Sequence, residues 1–129
     1  MPEEYIEKAG ENYILRKQME GIEIFEIRGD FTIVYTEKFH DIMSDLIRKG
    51  SFKFIFDLSD TSFIDSAAIG IILMGYSEVK KHDMKIKIVG ANMEIKNLLE
   101  LVGSDSALDY YNSVEEAVAS LKWFFPEIR

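Results

Sequence analysis

Residues 52–76 read FKFIFDLSDTSFIDSAAIGIILMGY, and the fold is decided in this stretch. Phe52, Phe54, Phe56 and Leu58 alternate with Lys53, Ile55 and Asp57, so a β-strand here carries three aromatic rings on one face. Ser59, Asp60, Thr61 and Ser62 are turn formers, and a loop is expected over them. After Phe63-Ile64 and Asp65-Ser66, the apolar residues Ile69, Ile72, Leu73 and Tyr76 recur at helical spacing. The stretch therefore predicts a strand, a short loop, and a helix whose first turn holds a serine beside an aspartate.

Outward from it, the chain reads as one domain. Its 129 residues are enough for one ordinary core. Two strands are expected at 13–18 and 22–28, joined by Met19-Glu20-Gly21, which has the length and glycine of a hairpin connection. Residues 36–49 form the clearest helix. Phe39, Ile42, Met43, Leu46 and Ile47 make its apolar stripe, Thr36 its N-cap, and Arg48, Lys49 and Gly50 its end. A strand follows at 85–88, then a helix capped by Asn92, carrying Ile95, Leu98, Leu99 and Val102, and ended by Gly103. A short strand at 107–111 precedes a last helix opened by the capping box Ser113-Val114-Glu115-Glu116, and Trp123-Phe124-Phe125 should tuck onto the core. The expected architecture is α/β: a mixed sheet of four to five strands, with about four helices packed largely on one face. Residues 1–11 read as a leader and 12–129 as the single domain.

Composition excludes several function classes. Fifteen Lys and Arg against 23 Asp and Glu give a net charge of -8, which opposes nucleic-acid binding and suits a basic protein surface. With no cysteine there is no disulfide, thiolate or cysteine-ligated metal. The N-terminus MPEEYIEKAGEN is too acidic for a signal peptide, and the longest apolar run, Ala67 to Met74, falls far short of the ~18 residues of a membrane span. A cytoplasmic protein without membrane insertion is expected.

Asp65 and Ser66 before an apolar helix read first as caps for its unpaired amides. Ser66 as a hydrolase nucleophile would need a base, and the chain offers only His40 and His82, both expected at the surface. Gly70 and Gly75 form no phosphate loop, and Asp57, Asp60 and Asp65 read as solvated acids, not metal ligands. Neither a catalytic residue nor a cofactor is expected. The helix after Ser66 is apolar on a second side, where Ala67, Ile71, Met74 and Glu78 share a face. Three explanations stand: a helix buried on both sides, a homodimer seam, or an exposed face of Ala67, Gly70, Ile71 and Met74 that docks a partner. Each glycine costs about 1 kcal/mol relative to Ala in a helix, which suggests close approach of another group.

The same stretch resembles the STAS domain family, specifically the bacterial anti-sigma factor antagonists, through Asp60, Ser62, Phe63, Ile64, Asp65, Ser66, Ala67, Ala68, Ile69 and Gly70. The likeness extends loosely from Asn12 to Leu121. Ala67 stands where the family usually has Ser or Thr, and Ala68 where it usually has Gly. In Gly29-Asp30-Phe31-Thr32, Thr32 replaces a usual aspartate near the phosphoacceptor. The resemblance implies a non-enzymatic regulator. Unphosphorylated, it binds an anti-sigma factor that is also a serine kinase, and so frees a sigma factor. ATP-dependent phosphorylation of Ser66 ends the interaction, and a serine phosphatase restores it. The phosphosite neighbourhood implied is Thr32, Asp60, Ser62, Asp65, Ala67 and Ala68. Two alternatives remain: a STAS subunit of a membrane transport complex, and a weak nucleotide-binding STAS protein.

Overall fold

The computed structural model describes residues 3–102 and 107–122. At its centre is the aromatic strand read from the sequence, β4 (Lys53–Asp57). It is buried on both faces: Phe54 and Phe56 point one way, Ile55 the other. Its neighbours are β3 (Ile22–Phe31) and β6 (Ile86–Val89), both parallel to it, with Phe56 opposite Phe25 on one side and Ile88 on the other. Beyond β3 lie β2 (Asn12–Met19) and β1 (Glu3–Ala9), antiparallel; beyond β6 lies β7 (Leu108–Tyr111), parallel. The hairpin between β2 and β3 turns on Glu20 and Gly21, both at positive φ, which suits the right-handed twist of the flanking strands.

Among the described residues the sheet has seven strands where four to five were expected. One addition is β1, from the stretch read as a leader. Only Ile6 of that strand is buried, so no apolar face announces it. The other is β5 (Thr61–Ile64), from the expected loop. It pairs with the far end of the long strand β3, Phe31 opposite Ile64, after β4 has used the near end. Thr61 is fixed there by a hydrogen bond from its hydroxyl to the Ile27 carbonyl at 2.8 Å.

Two cores result. On one face α1 (Ile33–Arg48), α2 (Ser66–Val79) and α3 (Met93–Val102) cover Phe25, Phe54, Phe56, Ile86 and Ile88. The rings of Phe25, Phe31, Phe39 and Phe56 meet at centroid distances of 4.7–5.6 Å for four of their pairs, within the range of favourable aromatic contacts. On the other face α4 (Val114–Lys122) lays Ala117, Val118 and Leu121 over Ile22, Ile24, Ile55 and Val89. The helices thus lie largely on one face, with α4 alone opposite.

Helix boundaries follow caps more than stripes. α1 starts three residues before the expected Thr36; its N-cap is Thr32, and Thr36 instead donates its hydroxyl to the Ile33 carbonyl at 3.0 Å. The expected cap of α3 is present, the Ile95 amide donating to Asn92 Oδ1 at 2.8 Å. In the capping box of α4 the Glu116 amide donates to Ser113 Oγ at 3.2 Å, while the Glu116 carboxylate accepts from the amide of Asn112 at 3.2 Å. Gly103 and the Trp123-Phe124-Phe125 tail, expected to end α3 and to tuck onto the core, lie outside the described residues.

Candidate functional site

The fork of β3 builds the site. Because β5 pairs with the end of β3, the chain leaving β5 arrives beside the start of α1. The Asp65 amide donates to the Phe31 carbonyl at 3.2 Å. Asp65 is extended, the N-cap of α2, and its Oδ1 accepts from the Ala68 amide at 2.9 Å. Its Oδ2 reaches across to the neighbouring helix and accepts from the Ile33 amide, also at 2.9 Å. One carboxylate therefore serves the N-termini of both α1 and α2, where unpaired amides and the positive dipole ends favour a negative charge.

Ser66 is the first residue of α2 and is exposed. Among the described residues no side chain or backbone group bonds its hydroxyl, so capping falls to Asp65. Beside it lies an apolar patch that the sequence reading missed. Ile33 and Val34, which open α1, are 67% and 77% exposed, and Phe63, just before the cap, is 48% exposed. The signal was in the sequence: Tyr35 lies one helical turn before Phe39, so Ile33 and Val34 fall off the apolar stripe once the helix starts at 33. Placing the N-cap at Thr36 hid this.

The expected docking face on α2 is different in the structure. Ile71 is 7% exposed and packed in the core, and Met74 is half-buried against it. Packing of α2 both on the sheet and alongside α1 explains its second apolar face. Its outward stripe is Ser66, Gly70, Leu73 and Ser77, with Leu73 and the neighbouring Ala67 half-buried and the others exposed. The two glycines separate here. A Cβ on Gly75 would stand 2.5 Å from Met43 Cε of α1, so Gly75 serves the contact between these helices. A Cβ on Gly70 would meet nothing within 4 Å.

The remaining residues of the implied neighbourhood are only partly gathered. Thr32 is beside Asp65, between Phe31 and Ile33, and its hydroxyl makes a long 3.4 Å cap to the Val34 amide. Ser62 is exposed on β5. Asp60 is exposed at the opposite end of β5, in a turn whose carbonyl accepts from the Gly29 amide at 3.0 Å. Ala68 is fully buried at 0% exposure, so its methyl fills core and meets no partner. His40 and His82 are both exposed, His82 with its ring stacked on Phe52. Asp57 accepts from the amide and hydroxyl of Ser59, at 3.1 and 2.6 Å. Among the described residues no three His, Cys, Asp or Glu side chains are placed to hold a metal ion, and no helix is long and apolar enough to cross a membrane.

A mixed sheet with three helices on one face, and an exposed serine opening the second of them, make up this α/β domain. The chain belongs to the STAS domain family, which it matches over residues 13–117. Solved structures of anti-sigma factor antagonists share the fold. One from Thermotoga maritima, described as a candidate antagonist, superimposes with a TM-score of 0.75 at 22% identity, covering 83% of this chain and 92% of that one. The antagonist SpoIIAA in its unphosphorylated form gives 0.73 at 15% identity, covering 85% and 98%. The Bacillus cell fate determinant SpoIIAA in the phosphorylated form gives 0.71 at 15% identity, covering 84% and 98%. The murine anion transporter Slc26a9 matches at 0.59 and 18% identity, over 82% of this chain and 18% of the transporter. No curated protein matches the chain.

Proposed function

We propose that this protein is an anti-sigma factor antagonist that works by partner switching, with Ser66 as its phosphoacceptor. The observation that carries this reading is the exposed Ser66 hydroxyl, unengaged among the described residues, beside the exposed apolar residues Ile33, Val34 and Phe63. Unphosphorylated, the protein docks that patch on an anti-sigma factor that is also a serine kinase, so a sigma factor is released for transcription. In the kinase's site Ser66 Oγ attacks the γ-phosphorus of ATP, ADP leaves, and the hydroxyl proton passes to a base of the kinase. The phosphoserine adds a charge of about -1.5 to -2. Held against an apolar contact, that charge must lose water without a partner charge, and the complex separates. A serine phosphatase then hydrolyses the ester. The protein itself supplies no catalytic residue and acts in the cytoplasm.

The exposed Gly70, one turn beyond Ser66, supports close approach of the partner along the outward stripe of α2, with Ala67 at its margin. Ile71 is left out of the proposed surface, because it is core. The transport-complex reading draws on the weaker likeness to the anion transporter, and it gives the free serine no role. Incubation with the cell's candidate serine kinases and ATP, with phosphosites mapped by mass spectrometry, tests the proposal. Incorporation at Ser66 is expected; a kinase that binds the protein but leaves Ser66 unmodified overturns it.

A further inference from the structure

We propose that Asp65 is the residue that positions the docking face, by clamping the first turn of α1 against the start of α2. This deepens the reading above and rests on it. A cap for α2 needs one carboxylate oxygen, and Oδ1 fills that need at the Ala68 amide. The second oxygen is not explained by capping its own helix. It accepts from the Ile33 amide at 2.9 Å, across 32 residues of sequence, and the Asp65 amide donates to the Phe31 carbonyl one residue before Thr32. Meanwhile the cap that belongs to α1, Thr32, reaches the Val34 amide only at 3.4 Å, the outer limit of a hydrogen bond. The first turn of α1 is thus held from outside its own helix. That turn carries Ile33 and Val34, and the residue holding it is the immediate neighbour of Ser66.

The consequence is that hydrophobic patch and phosphoacceptor form one rigid surface, because a single carboxylate spans them. An ionised carboxylate accepts at both oxygens; an amide side chain accepts at one and presents donors at the other. Asp65→Asn therefore keeps an N-cap about as good as the original, so α2 and the fold survive, while the Ile33 link is lost. A positioning role makes the patch wander relative to Ser66 without removing any side chain of the patch.

The test reads two properties of Asp65→Asn. Amide hydrogen exchange, followed by NMR, should be about tenfold faster at Ile33 and unchanged at Ala68. Affinity for the kinase that phosphorylates the wild-type protein should fall about tenfold, or about 1.4 kcal/mol. Unchanged exchange at Ile33 overturns the clamp. Faster exchange with unaltered affinity overturns the positioning role and leaves the proposed function standing. A wild-type protein that neither binds nor is phosphorylated by any serine kinase of the cell overturns the proposed function, and the positioning role with it. Should Asp65→Asn fail to fold, Ile33→Pro removes the same bond from the donor side, at a first helical position that suits proline. There the Val34 amide carries the exchange readout, with acceleration supporting the clamp and no change overturning it.

Discussion

At the scale of single residues, Ser66 and Asp65 divide two tasks that the sequence reading had left joined. Asp65 satisfies the helix amides, so Ser66 is not needed as a cap. Ser66→Ala should leave the melting temperature nearly unchanged and bind the anti-sigma partner constitutively. Phosphorylated protein should bind at least about 100-fold more weakly than unmodified protein, and Ser66→Asp should fall between them because it carries less charge. Titration of the three forms against the partner checks this, and equal affinities would discard the switch. Ala68 supplies the contrast. Its methyl is packed in the core, so Ala68→Gly should lower stability by about 1 kcal/mol or more and leave affinity alone.

At the scale of elements, α2 packs on the sheet and alongside α1, and that decides which substitutions disturb folding and which disturb binding. Ile33→Glu and Val34→Glu should fold normally and lose the partner, since both side chains already face water. Ile71→Glu should unfold the domain by burying an unpaired charge. Circular dichroism and pull-down of the three variants separate these outcomes; a folded, non-binding Ile71→Glu would restore the docking face first read from the sequence. The glycines of α2 divide in the same way. Gly70→Ala meets open space and should stabilise by up to about 1 kcal/mol, while weakening the partner contact. Gly75→Ala brings a methyl against Met43 Cε, the flexible end of a buried side chain that must shift, so its gain in helix propensity is offset and it should stabilise less than Gly70→Ala. Urea denaturation of both variants checks the order.

At the scale of the whole molecule, charge pairs on the sheet face opposite α1–α3 contribute to stability in a way that acid removes. Burial pushes the Asp109 carboxyl up, but Lys87 at 2.6 Å, aided by Lys85, outweighs it and holds the group below its ordinary value of 3.8. Burial likewise opposes, and Lys17 and the Tyr13 hydroxyl outweigh it, at Glu26, which lies below its ordinary 4.5. Both groups are more acidic folded than unfolded. Their contribution is therefore complete above those ordinary values and is lost as the pH falls through the lower folded ones. Asp109→Asn should melt below wild type at about pH 7, and the gap should narrow as the pH falls below 3.8. A constant gap in thermal melts across that range would remove Asp109 from the explanation.

Much of this protein is legible in its sequence because the signals are local. Alternation along residues 52–58 places Phe54 and Phe56 on one face and Ile55 on the other, and the caps Asn92 and Ser113 fix where α3 and α4 begin. The Asp65-Ser66 pair marks the start of α2 in the same way. What the sequence left open depends on which surfaces meet. β1 and β5 carry no strong alternation and exist as strands because a partner strand offers its unpaired backbone groups. Whether Ile71 faces water was decided by how α2 packs into the core, and no periodicity within α2 can report a neighbour from another part of the chain. The second bond of Asp65 is of the same kind. A cap to Ala68 lies three residues away in sequence, but Ile33 comes within reach only when β5 pairs with the end of β3.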